Sequence, residues 1–515
     1  MKRPLLLWLV ALFGVSLPTR AAQPAEPRDG FSLEERRTRL QPHLAEIDRE
    51  FREYAEKKRL PGMTWGIVLD GTLVHTGLLG WADLERRVAV GLETRFRIAS
   101  MTKSFTAAAI LRLRDEGKLN LHDPVAKHVP EFSATKPATA DAPFIRIEHL
   151  LAMSAGFPED NPWGDRQLDV TDEAFAKFLS EGTSTSSAAG TAFEYSNLGY
   201  ALLGRIITAV SGMPYQDYIR REILSPLGMK DTVWDARDVP AGKLALGYRA
   251  SDETWRGEPM LADGAYGAMG GLFTTLPDFA RYASMHLAAW PARNEAEAYP
   301  LRRATLREMH QPRMPSGFAA TDKSLSGEAQ PHVSAYGFGL VWNLDSRGTV
   351  RIGHSGGLPG FGSNWRFYPD HGLAVISFAN CTYAGTSAVN GRVGAILIEK
   401  VGMPRRPIGV SPILEQRQRE VTDVLLRRGP RDAAEPFAMN FFLDHDRERW
   451  RREADELLAR AGKPISVSTL QPVNALRGTY RIEGENGSVE VFFTLTPERI
   501  PLVQELKLKF LARER

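Results

Sequence analysis

Runs with strand character stand at both ends of the stretch from residue 31 to residue 401, and helical runs fill the space between them. Residues 63–69 read as a strand, Asp70 and Gly71 as a two-residue turn, and 72–80 as the return arm of an antiparallel hairpin. Strands come back at 339–344, 350–353, 363–368 and 373–379, parted by glycine and proline turns, and 387–401 reads as a closing helix. A sheet assembled from two chain ends must enclose what lies between, so the pattern predicts an α+β domain with a helical insertion. The insertion opens with residues 100–116, closed by Gly117 and apolar on every side over 106–110, which requires a central, buried helix.

The first residues combine Lys2 and Arg3, an apolar run over 5–17, and small Thr19 and Ala21 ahead of a cut, which reads as a signal peptide over 1–22. The run is too short for a bilayer span, so the mature chain is expected to be exported, most simply to a periplasm, without an integral membrane segment. Three prolines and two arginines over 403–412 mark a linker. Beyond it, 412–515 reads as a small α+β domain. Ser411 and Pro412 start one helix, Pro436 starts another, and strands surround a turn at Asn486 and Gly487. Lys plus Arg number 65 against 62 Asp plus Glu, a net charge of +3, which gives no reason to expect nucleic acid as partner. One cysteine, Cys381, excludes an intrachain disulfide, and the 11 histidines fall in no metal-binding spacing, so neither metal nor cofactor is expected.

Ser100 and Lys103 form S-x-x-K, which on a helix sets hydroxyl and amine one turn apart on one face. An adjacent amine can supply the base a serine needs to become a nucleophile. A second copy, Ser133 and Lys136, precedes Pro137, which forbids the aligning helix and marks it as a loop coincidence. Tyr195 and Asn197 form Y-x-N before an apolar helix over 198–210. His354 and Gly356 form H-x-G at the end of a strand, with Gly357 offering an unobstructed backbone N–H. The other H-x-G, at His75, lies in the early hairpin as an ordinary strand histidine.

In this order the three motifs resemble the serine β-lactamase and penicillin-binding protein superfamily, in its class C β-lactamase-like branch of D-aminopeptidases, DD-peptidases and esterases. The likeness covers about 31–401 and includes the blocks 96–105, 149–156, 268–281 and 336–342. It implies an antiparallel sheet flanked by helices with a helical subdomain, over a hydrolase domain 31–403, and an exported serine hydrolase that forms an acyl-enzyme on an amide, ester or β-lactam. The resemblance makes Ser100 the acylated nucleophile, with Lys103 and Tyr195 sharing proton transfer. It gives Asn197, His354 and Gly356 to substrate binding and the N–H groups of Ser100 and Gly357 to the oxyanion hole. The substrate would be a small molecule or short peptide. The C-terminal unit resembles α+β extensions of the nuclear transport factor or cystatin-like kind.

Histidine at 354 replaces the lysine usual in the lactamases, and an unperturbed imidazole loses its charge near pH 6.5. Recognition of a substrate carboxylate there is expected to fade as pH rises. Two other readings stand beside the hydrolase. Residues 353–357 also spell G-x-S-x-G, which would make Ser355 the nucleophile of an α/β-hydrolase. A non-turnover exported receptor of the same fold would keep the motifs without the chemistry.

Overall fold

The computed structural model describes residues 32–251, 254–427 and 436–513; the signal segment 1–22 lies outside the described residues. Nine strands form one antiparallel sheet in the spatial order Val88–Ala89, Thr72–Asp83, Gly62–Leu69, Leu373–Ala379, Phe361–Tyr368, Val350–Leu358, Val341–Asp345, His332–Tyr336, Met314–Ala319. The early strand pairs directly with the last, Met63 opposite Ala379 and Leu69 opposite Leu373, so the sheet is sewn from both chain ends as expected. Both strands are buried along their whole length. Helices cover both faces, which is why these strands read as unbroken apolar runs. Leu276–Ala288 packs on one face, while Leu44–Lys57 and Ser387–Ala395 lie on the other, where Phe51 stacks on Trp65 at 4.9 Å. His75 belongs to this second face and bonds Asp48 at 2.7 Å, so it takes no part in the site around Lys103.

The central helix runs Thr102–Asp115 and is buried without a break from Thr102 to Leu111. Ala107, Ala108 and Ala109 let the helix Asn197–Ser211 approach closely, and Phe105 stacks on Tyr282 at 3.7 Å. One tight 3-10 turn, Ala99–Met101, precedes it, and Gly117 ends it in the left-handed conformation.

Several expected boundaries moved. The strand expected over 350–353 continues to Leu358, because Gly356 and Gly357 pair with Ser363 and Gly362 instead of turning. Strands Met314–Ala319 and His332–Tyr336 carry no clear alternation and were not anticipated; they form the exposed margin of the sheet. Pro436 starts no helix. Its carbonyl accepts the Val503 N–H at 2.7 Å, and the helix Arg447–Ala461 starts behind Asp446, which caps it at 2.7 Å. The last hairpin turns through Glu485 and Asn486, so Gly487 opens the return strand. The helix Pro412–Leu425 begins as expected, with Ser411 accepting the Leu414 N–H at 3.2 Å. This C-terminal part builds a five-stranded antiparallel sheet, and Leu414, Val421, Tyr480, Val491 and Phe493 pack into a core of their own.

The stretch expected as a linker is fastened to the sheet. Arg406 donates to the carbonyls of Pro369 at 2.5 Å and Leu287 at 3.1 Å, and its guanidinium lies 3.9 Å from Asp70. Arg36, from the first helix Leu33–Leu40, meets the same carboxylate at 3.1 Å.

Candidate active site

Ser100 lies in the tight turn before the central helix, and Ala99 ahead of it is held at φ 48°, a conformation costly for a residue with a Cβ. That turn rests on the strand Val350–Leu358. A side chain at Gly356 would lie 2.2 Å from the Ile98 carbonyl, so only glycine lets the strand pass there. The S-x-x-K spacing performs as read: Lys103 Nζ donates to Ser100 Oγ at 3.0 Å. It also donates to Asn197 Oδ1 at 2.7 Å and to the Met269 carbonyl at 2.9 Å. Burial pushes this amine well below the usual lysine range, to about 7, against the opposing pull of Asp165 and then Asp160.

The donor count decides what the lysine can do. As an ammonium it has three protons for three acceptors; as an amine it has two protons and one lone pair. Asn197 Oδ1 and the Met269 carbonyl only accept, so the lone pair can be met only by the Ser100 O–H. Loss of the lysine proton therefore turns Lys103 into a hydrogen-bond acceptor, and thus a base, for Ser100 alone.

Tyr195 and Asn197 straddle a helix start. Ser196 caps the helix Asn197–Ser211 through Gly199 N–H at 3.2 Å. Asp160 arrives from a distant loop and accepts the N–H groups of Asn197 at 2.6 Å and Leu198 at 2.9 Å. Its negative charge suits a helix N-terminus and pins the motif in place. The Tyr195 ring lies 5.0 Å from Lys103 Nζ, and its hydroxyl reaches Ser100. Burial holds that phenol well above its ordinary range, so it stays protonated near neutrality.

Burial bears on two of the expected binding residues. Asn197, expected to hold a substrate amide, is fully buried: its Oδ1 accepts from Lys103, and its Nδ2 donates to Asn161 Oδ1 at 3.1 Å and lies 3.4 Å from Asp165 Oδ1. His354, expected to carry a charge that fades near pH 6.5, is shut between Tyr336 and its own strand. Its Nδ1 sits 2.5 Å from the Ser355 carbonyl and so carries the proton; Nε2 accepts from the Tyr336 hydroxyl at 2.9 Å. Burial, then the nearby Lys103, pushes the ring down to about 3, so it is neutral throughout the physiological range. The Cε1 proton resonance of His354, identified by its absence in His354→Gln, should therefore stay in place from pH 5.5 to 8.5. A shift centred near 6.5 would restore the charged role.

Ser355 is exposed within the strand and accepts from Asn364 Nδ2 at 3.0 Å. The strand is antiparallel and no helix follows it, so the nucleophile-elbow reading is wrong. Ser133 and Lys136 are likewise not a pair, since Ser133 Oγ bonds the Pro130 carbonyl while Lys136 N–H turns to Thr183.

Ser100 opens into a cavity of about 950 Å³ whose walls include Phe193, Tyr195, Phe318, Tyr336 and Tyr383. His354, Gly356 and Gly357 line it too. Strand Val341–Asp345 pairs only as far as Gly353, so it leaves the edge of 354–358 uncovered beside Ser100. The sequence reading missed Asp160, Asp165, Tyr336 and Tyr383. Asp165 lines the cavity and accepts from the Tyr383 hydroxyl at 2.9 Å. Burial raises its carboxyl to about 6.

A family model described as Beta-lactamase matches residues 47–398, which is more than half of the chain. The chain belongs to the beta-lactamase family. Within this family it is 29% identical over 345 residues to Protein flp of Staphylococcus aureus (strain MW2), covering 65% of this chain and 62% of that protein. The chain thus spans less than two thirds of that relative's length. It is 29% identical over 227 residues to the D-alanyl-D-alanine-carboxypeptidase/endopeptidase AmpH of Escherichia coli (strain K12), covering 43% of this chain and 57% of that protein. The octameric penicillin-binding protein homologue from Pyrococcus abyssi shares the fold with a TM-score of 0.57 at 22% identity, over 91% of this chain and 98% of that one. A class C beta-lactamase shares it with a TM-score of 0.53 at 20% identity, over 69% and 94%. The expected fold, an α+β antiparallel sheet with flanking helices, is the fold of the beta-lactamase family, and the chain is a member of that serine hydrolase superfamily.

Proposed function

We propose that this protein is an exported serine hydrolase that opens a carboxyl ester or amide through an acyl-enzyme on Ser100. The observation that carries the reading is the lysine amine 3.0 Å from Ser100 Oγ, desolvated and bonded so that its lone pair can face only that hydroxyl. The proton of Ser100 passes to Lys103 as Oγ bonds the carbonyl carbon, and the N–H groups of Ser100 and Gly357 receive the oxyanion. The bond to the leaving group then breaks as the phenol of Tyr195 hands that group a proton, and the ammonium of Lys103, which faces the Tyr195 ring, returns a proton to the phenolate. Water attacks the ester on Ser100 by the reverse proton route and frees the acid. AmpH acts, by its name, on D-alanyl-D-alanine peptides, which makes short peptides with D-residues one class worth testing. The pre-formed contact between Ser100 and Lys103 favours turnover over the receptor reading.

A fluorophosphonate should label the mature protein at Ser100 and nowhere else, as located by peptide mass. Ser355→Ala should label normally and Ser100→Ala not at all. Labelling that survives Ser100→Ala would sink the proposal.

A further inference from the structure

The charged groups lining the cleft are lopsided. Of the side chains around the cavity, Asp165 is the one acid, His354 is neutral, and no lysine or arginine is among them. Asp165 is buried, with a fractional exposure of 3%, and the two cations that act on it, Lys103 and Arg166, do so through space and not as hydrogen-bonded partners. Lys103, the nearest buried cation, spends its protons on Ser100, Asn197 and Met269. Arg166, next in sequence, points to solvent. The carboxylate is also underused. Tyr383 serves Oδ2 at 2.9 Å, while Oδ1 receives only a long contact of 3.4 Å from Asn197, beyond a normal N–H···O bond.

The surroundings suit a cation. Tyr383 crosses from the end of the sheet to Asp165 and lies against Gly357, where an added Cβ would meet its ring at 2.7 Å. It holds this place with φ 50°, an uncommon conformation for a side chain of its size. A protonated amine beside Asp165 would therefore have a carboxylate and an aromatic face within reach, close to where the acyl carbon would sit. A carboxylate in the same place would face the Asp165 carboxylate directly, while Arg166 acts on the site only from an exposed position. Arg351 and Arg366 line a smaller neighbouring cavity of about 150 Å³ with Asn343 and Asn364, which meets the cleft at Val341, His354 and Ser355 and lies away from Asp165.

We propose that Asp165 is the counter-ion for a protonated amine on the substrate, so that the cleft takes α-aminoacyl esters or amides in preference to acyl or leaving groups that end in a carboxylate. This rests on the acyl-enzyme reading of Ser100 and names its substrate class.

The test compares kcat/KM of the mature protein on alanine p-nitroanilide and on N-acetylalanine p-nitroanilide, each in both enantiomers, with p-nitrophenyl butyrate reporting Ser100 chemistry separately. The free amine should be preferred by about thirtyfold in the favoured enantiomer, the scale of one charge-assisted hydrogen bond. Asp165→Asn should bring that ratio to within about threefold of unity, whatever it does to the absolute rates. If the variant does not fold, alaninamide should inhibit wild-type butyrate hydrolysis at about thirtyfold lower concentration than N-acetylalaninamide. Butyrate turnover with no preference for the free amine, or a preference that survives Asp165→Asn, overturns the amine subsite while leaving the hydrolase standing. No turnover of any substrate overturns both.

Discussion

Lys103→Met should lower kcat/KM for a neutral ester by about a thousandfold or more, the range lost when a positioned proton acceptor is removed. Methionine keeps the length of the side chain and removes the basic nitrogen, so the loss reports chemistry. The pH profile supplies the sign. Lys103 acts only when neutral, and burial has brought it down to about 7, so wild-type kcat/KM should rise as pH rises toward that value and level off above it. The limb belongs to Lys103 and Asp165 together, because neighbouring buried groups titrate as a pair. The residual activity of Lys103→Met should lose the limb. Tyr195→Phe should cost less, about ten- to a hundredfold, and keep it, since the phenol stays protonated at neutral pH. If Tyr195→Phe abolished the limb and Lys103→Met retained it, the base would be the tyrosine.

What could be read from the sequence divides along a physical line. Ser100 and Lys103 were legible because three residues of helix fix the distance between them, and Tyr195 and Asn197 because they flank one helix start. A sheet assembled from strands at 63–69 and 373–379 was legible from the largely apolar runs at both ends of the domain, though not which strand pairs with which. Asp160 was not, since its bond to Asn197 joins loops 37 residues apart, and no local spacing records that. Nor does a motif state burial. His354 was read as a charged group because H-x-G says nothing of Tyr336, which closes over the ring, and Y-x-N says nothing of Lys103, which holds the Asn197 oxygen. The edge strands escaped for a similar reason: Met314–Ala319 contains Pro315 and Gly317 and is largely exposed, so burial imposed no alternation on it.

The largest loss of stability should come from Asp70→Asn, far from the site. Asp70 sits in the hairpin turn with φ 47° and Gly71 with φ 82°, the pair of left-handed residues that a two-residue turn between twisted strands requires. Its N–H donates to the Gly372 carbonyl at 2.8 Å, so this turn also ties the first hairpin to the last. Its carboxylate faces two guanidiniums, buried Arg36 at 3.1 Å and partly buried Arg406 at 3.9 Å, one from the first helix and one from the stretch leading to the C-terminal unit. Asparagine tolerates the left-handed conformation and keeps the shape, so the substitution isolates the charge. Buried Arg36 and partly buried Arg406 would then lack this counter-ion, and the expected cost is about 3 kcal/mol, seen as a lower urea midpoint for the transition that includes the sheet. Adding Arg36→Met should recover part of that loss, because the penalty lies mainly in the unpaired charge and not in the missing contact. Arg36 also donates to the His371 carbonyl, so recovery should be incomplete. An unchanged midpoint in Asp70→Asn, or a double variant that loses the sum of the two single losses, would mean the three side chains are held by packing and their charges matter little.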